Sequence, residues 1–177
     1  MEHLNEQLRQ VSFIVCDVDG VLTDGHMWFD GEGKPFRALH ARDGTALALW
    51  HLAGHKSALV SGLGSKAVEA IAKQWKCAEC YQFIKNKGRV CREISDKYGI
   101  PLTSMAFVGD DIIDLTAMRT VGVSVAVSDA LPDVKKTATL TLAAPGGSGA
   151  LRELVHLILA AQGRLEETVQ KYCSRED

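Results

Sequence analysis

Two aspartates near the start of the chain have the side chains and the spacing best suited to chemistry. Asp17 and Asp19 lie two residues apart, at the end of an apolar, β-branched run that starts at Val11, and Gly20 then allows a tight turn. In extended backbone this spacing can aim both carboxylates to one side of the strand end, where they can share a hard cation such as Mg²⁺. A carboxylate held in this way can also attack phosphorus and form an aspartyl-phosphate.

Polar residues also follow three later apolar runs of the chain. In an α/β sheet, ligands bind beyond the carboxyl ends of the strands, so we expect these residues to meet the first aspartates there. They are Ser61 and Gly62 after KSALV, Lys85 and Lys87 after ECYQF, and Asp110, Asp111 and Asp114 in and after MAFVGDD.

The acidic members of this set predict a metal site beside a nucleophile. Phosphate repels a carboxylate, and a cation held by Asp17, Asp110 and the backbone carbonyl of Asp19 would screen that repulsion. Asp111 and Asp114 would not bind the ion directly but would orient the metal ligands and Lys87.

The remaining members predict contacts to the phosphoryl group itself. Ser61, with the amide of Gly62, and Lys87 would each hold a phosphate oxygen. Asp19 would act first as general acid toward the leaving oxygen and then as general base toward water. We therefore predict a catalytic set of Asp17, Asp19, Ser61 and Lys87.

Short apolar strands alternate with helical patterns along the chain. This order predicts an α/β fold, a Rossmann-like three-layer sandwich with a mainly parallel sheet, in one domain spanning residues 1–177. Two extended runs around a glycine-rich turn predict a small β-hairpin insertion after the first strand, at 26–40. The principal helices are predicted at 44–54, 65–75, 87–98 and about 148–162, the last followed by a tail.

Composition excludes several classes of partner. The 177 residues carry 20 Lys and Arg against 22 Asp and Glu. The resulting net charge of −2 does not indicate a surface that binds nucleic acid. No segment approaches the roughly 18 apolar residues of a membrane span, and the first ten residues lack the apolar run of a signal peptide. Five cysteines without such a signal argue against a disulfide framework. We expect a cytoplasmic protein with neither nucleic-acid nor membrane partners.

Four segments resemble the motifs of a known superfamily, in their usual order. DVDGVLTDG, VSG, the lysine at 87 and GDDIIDL are similar to the motifs of the haloacid dehalogenase (HAD) superfamily of aspartyl phosphatases. HARDG at 40–44, VGVSVAVSDA at 121–130 and GGSGALRELVHLILAAQG at 146–163 resemble its small capless branch of phosphatases acting on 3-deoxy-D-manno-octulosonate (KDO) 8-phosphate. The resemblance implies Mg²⁺-dependent hydrolysis of a sugar-acid phosphate in lipopolysaccharide biosynthesis, with Arg42, Asp43 and Gly44 among the substrate contacts.

The same resemblance implies a homotetramer. The intervals between the motifs are too short for a cap domain, and in this branch hairpins from four subunits form a barrel while a neighbour helps to cover each site. The hairpin residues Met27, Trp28, Phe29 and Phe36 suit burial at such an interface, although they could equally pack on their own sheet.

The sequence departs from the branch where the substrate carboxylate would be recognised. Leu63, Ala48 and Ile71 stand where relatives often carry basic residues. Other cations that could contact an anion remain, and they are Arg42, Lys66, Lys85 and Arg152. A nonulosonate 9-phosphate, or another phosphosugar, is therefore an alternative substrate.

Two hypotheses from other functional classes stay open. A phospho-accepting receiver domain also uses acidic residues, a Ser or Thr and a Lys on a parallel sheet, but it places the acidic pair first and the accepting Asp in mid-chain. A non-catalytic subunit could keep the fold while its altered specificity residues bind a partner.

Overall fold

The computed structural model describes residues 2–175, which form eight α-helices, two short 3₁₀-helices and eight strands. The helices are α1 Glu2–Gln10, α2 Ala41–Leu52, α3 Lys66–Gln74, α4 Lys87–Tyr98, α5 Leu115–Met118, α6 Pro132–Thr137, α7 Ala150–Ala161 and α8 Leu165–Cys173. The strands are β1 Phe13–Cys16, β2 Trp28–Phe29, β3 Pro35–Phe36, β4 Lys56–Val60, β5 Glu79–Tyr81, β6 Met105–Gly109, β7 Val123–Ala126 and β8 Leu140–Thr141.

Six of the strands form one parallel sheet in the order β5-β4-β1-β6-β7-β8. The four residues of β1, FIVC, are all buried, as expected for a central parallel strand covered on both faces. Phe13 pairs with Lys56 of β4 on one side and with Met105 of β6 on the other. The parallel α/β architecture predicted from the sequence is thus confirmed, and β1 and β6 end side by side.

Two groups of helices flank the sheet. In one group, α1 and α2 pack against α7, and α8 packs against both α2 and α7. In the other group, α4 packs against α5, which in turn contacts α6. The core between the layers is apolar, and its largest fully buried side chains include Trp50, Phe13 and Phe107.

The hairpin predicted at 26–40 is present, but its two strands are only two residues long. Trp28 pairs with Phe36 and Phe29 with Pro35 in an antiparallel ladder. The aromatic side chains do not pack on the main sheet, because Trp28 is 52% exposed, Phe29 60% and Phe36 53%. The alternative in which they cover their own sheet is therefore wrong for this structure.

The helix predicted at 44–54 begins earlier than expected, at Ala41. His40 is its N-cap, and the His40 Nδ1 atom accepts a hydrogen bond from the backbone N–H of Arg42 at 3.1 Å. Gly44 therefore lies inside the first turn of the helix rather than before it. The predicted helix at 87–98 is confirmed in full, and Gly99 ends it in a left-handed conformation with φ of 63°.

Helices α1 and α8 were not predicted, because each presents few buried residues to the rest of the protein. Leu8 is the buried residue of α1, and Thr168 that of α8. Both segments are rich in charged and polar residues, so their apolar periodicity is too short to indicate a helix from the sequence.

Within residues 2–175 no separate cap domain is inserted. The chain between β1 and β4 holds only the hairpin and α2, and the chain between β4 and β6 holds α3, β5 and α4. None of the helices described has the length and apolar character that a bilayer crossing requires.

Candidate active site

The loop after β1 brings the first aspartates to the carboxyl edge of the sheet. Gly20 turns the chain there with φ of +92°, and a side chain at this position would overlap the carboxylate of Asp110. The buried hydroxyl of Thr23 accepts hydrogen bonds from the backbone N–H groups of Gly20 and Gly25, each at 3.1 Å. The tight turn is therefore what allows two acidic segments to approach each other.

The glycines of the C-terminal GGSG segment pack directly on this loop. The N–H of Gly147 donates to the carbonyl of Val21 at 3.0 Å, and any side chain at Gly146 would collide with the carbonyl of Gly20. Asp129 holds the segment in place by accepting from the N–H of Gly146 at 2.9 Å. The GGSG segment thus supports the loop after β1 from outside.

Lys87 lies at the first residue of α4 and pairs with two carboxylates below the pocket. Its Nζ atom is 2.7 Å from Oδ1 of Asp17 and 2.5 Å from Oδ1 of Asp114, and all three residues are buried. Burial raises the pKa of Asp17 and the nearby Asp114 raises it further, while Lys87 opposes both. Burial lowers the pKa of Lys87, but the two carboxylates outweigh it and hold that pKa above its usual value. The lysine is accordingly a fixed cation.

Asp114 also shapes the acidic turn after β6. Its Oδ2 atom accepts from the backbone N–H of Asp110 at 2.9 Å and from that of Asp111 at 3.3 Å. Both of its oxygens are thus engaged, one with Lys87 and one with the backbone. Asp114 thereby fixes the backbone of the turn that carries Asp110.

Asp17, Asp110 and Asp114 form an acidic cluster in which one oxygen from each lies within 4.8 Å of the others. The Oδ1 atom of Asp110 is buried and has no hydrogen-bond partner among the described residues. Burial, followed by the charges of Asp114 and Asp111, raises the pKa of Asp110 to about 7. An orphaned oxygen among converging carboxylates fits a hard divalent cation with oxygen ligands. Because Asp114 is already occupied, Asp17 and Asp110 are the side chains with free ligand capacity.

Asp19 is held from two sides. Its Oδ2 atom accepts from the hydroxyl of Ser61 at 3.2 Å. The guanidinium of Arg37 binds both oxygens, through Nε to Oδ1 and through Nη2 to Oδ2 at 3.5 Å. Sequence reasoning missed Arg37, because it follows the hairpin rather than a strand of the main sheet, and no motif in the sequence marks it.

A pocket of about 350 Å³ opens above these groups at the carboxyl edge of the sheet. Six of the predicted site residues line it, together with the apolar side chains of Met27, Leu63 and Ile113. The six are Asp17, Asp19, Gly62, Lys87, Asp110 and Asp111. Ser61 is fully buried beneath the pocket, where it contacts Asp19.

The predicted substrate contacts in HARDG do not line this pocket. Arg42 is exposed, whereas Asp43 is fully buried and its Oδ1 atom accepts from the backbone N–H of Arg152 at 2.9 Å, at the start of α7. Burial raises the pKa of Asp43. A side chain at Gly44 would strike the indole of Trp75. In this chain one carboxylate oxygen of Asp43 contacts the N-terminus of α7. Its other oxygen, Oδ2, is buried without a hydrogen-bond partner among the described residues, and a substrate contact for Asp43 stays a prediction.

The other residues noted for specificity are dispersed. Leu63 is 46% exposed at the pocket rim, while Ile71 packs against the core and Ala48 is half-buried on α2. Lys66 and Lys85 are exposed and do not line the pocket. No basic side chain other than Lys87 lines this pocket in the described part of the chain.

Comparison with known proteins gives consistent matches. Residues 56–152 match the family model of the haloacid dehalogenase-like hydrolases. The chain is 34% identical over 165 residues to the KDO 8-phosphate phosphatase of Salmonella typhi, covering 93% of this chain and 88% of the relative.

Solved structures agree in fold. The KDO 8-phosphate phosphatase of Moraxella catarrhalis, in complex with a magnesium ion, a phosphate ion and KDO, matches with a TM-score of 0.94 and 28% identity, over 97% of this chain and 99% of that one. The cobalt-bound deoxy-D-mannose-octulosonate 8-phosphate phosphatase of Haemophilus influenzae matches with a TM-score of 0.89 and 32% identity, over 95% and 99% of the two chains.

Proposed function

Because the chain belongs to the haloacid dehalogenase-like hydrolases, we propose that it is a Mg²⁺-dependent phosphatase of a sugar-acid phosphate monoester, and that its substrate is KDO 8-phosphate. One observation carries the proposal. The carboxylates of Asp17 and Asp110 converge beside a buried lysine, under a pocket open to a phosphoester. The similarity to KDO 8-phosphate phosphatases over most of the chain supports this choice of substrate.

In the first half of the reaction, a carboxylate oxygen of Asp17 forms a bond to phosphorus as the bond to the leaving oxygen breaks. Asp19 gives its proton to that oxygen, so the sugar acid departs as an alcohol. In the second half, Asp19 takes a proton from water while the water oxygen attacks phosphorus. The bond between Asp17 and phosphorus breaks, which releases phosphate, restores the carboxylate of Asp17 and leaves Asp19 protonated again.

Three further groups of the chain would stabilise the charge that develops on the phosphoryl oxygens. Lys87 supplies a fixed cation, and Ser61 and the amide of Gly62 supply hydrogen-bond donors. Asp114 holds Lys87 in position from below, and its contact at 2.5 Å supports this role.

Asp17, Asp110 and the backbone carbonyl of Asp19 would hold Mg²⁺. When bound, the ion supplies positive charge that offsets the repulsion between the phosphate and the nucleophile. The unpartnered buried oxygen of Asp110 supports this assignment.

We also propose that the chain assembles as a homotetramer through its hairpin. Met27, Trp28, Phe29 and Phe36 are each between 43% and 60% exposed on one small element, and such a cluster of exposed apolar side chains is typical of an interface. A neighbouring subunit would cover these residues and narrow the mouth of a pocket that the chain itself leaves open.

All five cysteines are free, which supports function in the reducing cytoplasm.

A nonulosonate 9-phosphate is the second candidate substrate, and the residues at the pocket rim support this alternative. Leu63 lines the pocket and Ile71 is packed inward, so neither position offers a cation to a sugar carboxylate. The chemistry at phosphorus is the same for both substrates.

A screen of the purified protein with Mg²⁺ against a panel of phosphosugars tests the proposal. The panel should contain both eight- and nine-carbon ulosonate phosphates and neutral hexose phosphates, with phosphate release as the readout. We expect KDO 8-phosphate to give the highest kcat/KM. Absence of turnover with every phosphate monoester would instead favour the non-catalytic subunit.

A further inference from the structure

We propose that Arg37 is a positioning residue that holds Asp19 as the base of the second half-reaction and so sets the rate at which the aspartyl-phosphate is hydrolysed. This inference rests on the proposed function, since it presupposes a phosphorylated Asp17. It adds a residue from the hairpin to the set drawn from the ends of the main strands.

The contact between the guanidinium of Arg37 and the carboxylate of Asp19 is bidentate and buried. Arg37 follows β3 directly, and its side chain is only 6% exposed. Nε and Nη2 of the guanidinium each donate to a different oxygen of Asp19, a geometry that fixes the plane of a carboxylate. Nη1 donates to the hydroxyl of Ser65 at 3.2 Å, and that hydroxyl also caps α3 by accepting from the N–H of Val68 at 3.2 Å. The guanidinium is thus anchored at both ends.

Arg37 contacts Asp19 from outside the active-site pocket. Asp19 lines the active-site pocket, whereas Arg37 does not. Its neighbours are instead apolar, in a small cavity of about 30 Å³ bounded by residues such as Leu22, Leu39 and Ile71. A cation placed there cannot reach the phosphoryl group past Asp19, so its effect on the reaction passes through Asp19.

The arrangement suits one half-reaction more than the other. With Nε and Nη2 of Arg37 and the hydroxyl of Ser61 all donating to it, Asp19 is held as a hydrogen-bond acceptor. An acceptor is what the attacking water needs, because its proton must pass to Asp19 as its oxygen attacks phosphorus. When the hydroxyl of Ser61 turns to a phosphoryl oxygen, the two Arg37 contacts are the ones that remain on Asp19. Removing the guanidinium therefore leaves Asp19 without a fixed orientation when water attacks.

The test separates the two half-reactions by rapid quench with p-nitrophenyl phosphate, whose leaving group departs without a proton. The variants are Arg37→Ala, Arg37→Lys and, as the matched control, Lys34→Ala, which removes a 73% exposed cation from the same hairpin. We expect Arg37→Ala to lower kcat about tenfold, with a p-nitrophenol burst approaching one per site and a raised steady-state fraction of phosphorylated enzyme. Arg37→Lys keeps the charge but cannot make the bidentate contact, so we expect its kcat and its phosphorylated fraction to lie between those of wild type and Arg37→Ala.

The outcomes are distinct. Equal slowing of both half-reactions in Arg37→Ala, with an unchanged phosphorylated fraction, would overturn the inference and leave Arg37 a purely structural residue. If Arg37→Ala does not fold, as judged by near-ultraviolet circular dichroism, Arg37→Lys decides in the same way. Failure of the wild-type protein to form phosphorylated enzyme from any monoester would refute the proposed function itself.

Discussion

Lys87 and Asp114 form an ion pair of 2.5 Å in which neither side chain is more than 1% exposed. The pair joins the start of α4 to the turn after β6, and the same ammonium reaches Asp17 at 2.7 Å. A single buried cation therefore offsets the repulsion between two carboxylates at the floor of the pocket. The site and the stability of the fold depend on the same contact.

Replacing Lys87 by Met should therefore destabilise the protein as well as inactivate it. The substitution leaves Asp17 and Asp114 buried without their cation, and we expect a loss of about 3–5 kcal/mol in the free energy of unfolding. Urea denaturation monitored by circular dichroism measures this. Adding Asp114→Asn in the same background should recover part of the loss, whereas the exposed control Lys97→Met should leave the midpoint unchanged. A Lys87→Met midpoint equal to that of wild type would contradict the electrostatic account.

The metal-free protein should become less stable as pH rises, because of Asp110. Its pKa is raised to about 7 by burial and by the charges of Asp114 and Asp111, whereas an unfolded Asp has a pKa of about 3.9. Between these values the folded protein keeps a proton that the unfolded chain has lost, so the free energy of unfolding falls as pH rises through this window.

Asp110→Asn removes this penalty together with a proposed metal ligand. In EDTA at pH 8 its Tm should exceed that of wild type by about 4 °C or more, and the difference should vanish near pH 4. Mg²⁺ should raise the Tm of wild type and of the exposed control Asp133→Asn, but not that of Asp110→Asn. Stabilisation of Asp110→Asn by Mg²⁺ to the same extent as wild type would show that the ion binds elsewhere.

Leu63 should limit recognition of a sugar carboxylate. It lines the pocket and is 46% exposed, so a longer side chain there can extend over the substrate. We expect Leu63→Arg to raise the kcat/KM ratio of KDO 8-phosphate over a neutral hexose phosphate by about tenfold, since a charge-assisted hydrogen bond is worth about 1.5–3 kcal/mol. Leu63→Met is the matched control. An unchanged ratio would place the carboxylate away from this position.

The hairpin should govern assembly. Trp28→Ser with Phe29→Ser removes the two exposed aromatic side chains of β2, so the monomer fold should persist while the proposed tetramer dissociates. Sedimentation velocity measures the oligomeric state. Leu157→Ser, which removes an exposed apolar side chain from α7, is the control. Persistence of the tetramer in the double variant would exclude the hairpin as its interface.

The sequence was most informative where residues follow strands of the central sheet. Asp17, Asp110 and Lys87 could be grouped beforehand, because parallel strands that are buried on both faces end at a common edge. Arg37 could not be found in this way, since it reaches Asp19 from the two-stranded hairpin by a tertiary contact that leaves no periodic signal. The contact of Asp43 with the N-terminus of α7 could not be found from the sequence either, because it joins residues 109 positions apart in the chain.

Chemical trapping of the covalent intermediate tests the central claim most directly. The protein is mixed with Mg²⁺ and substrate, quenched, reduced with borohydride and digested for mass spectrometry. We predict homoserine at position 17, the product of a reduced aspartyl-phosphate, in wild type, and neither that product nor turnover in Asp17→Asn, which should keep the native fold. Turnover of Asp17→Asn near the wild-type rate, or trapping at any other carboxylate, would contradict the account.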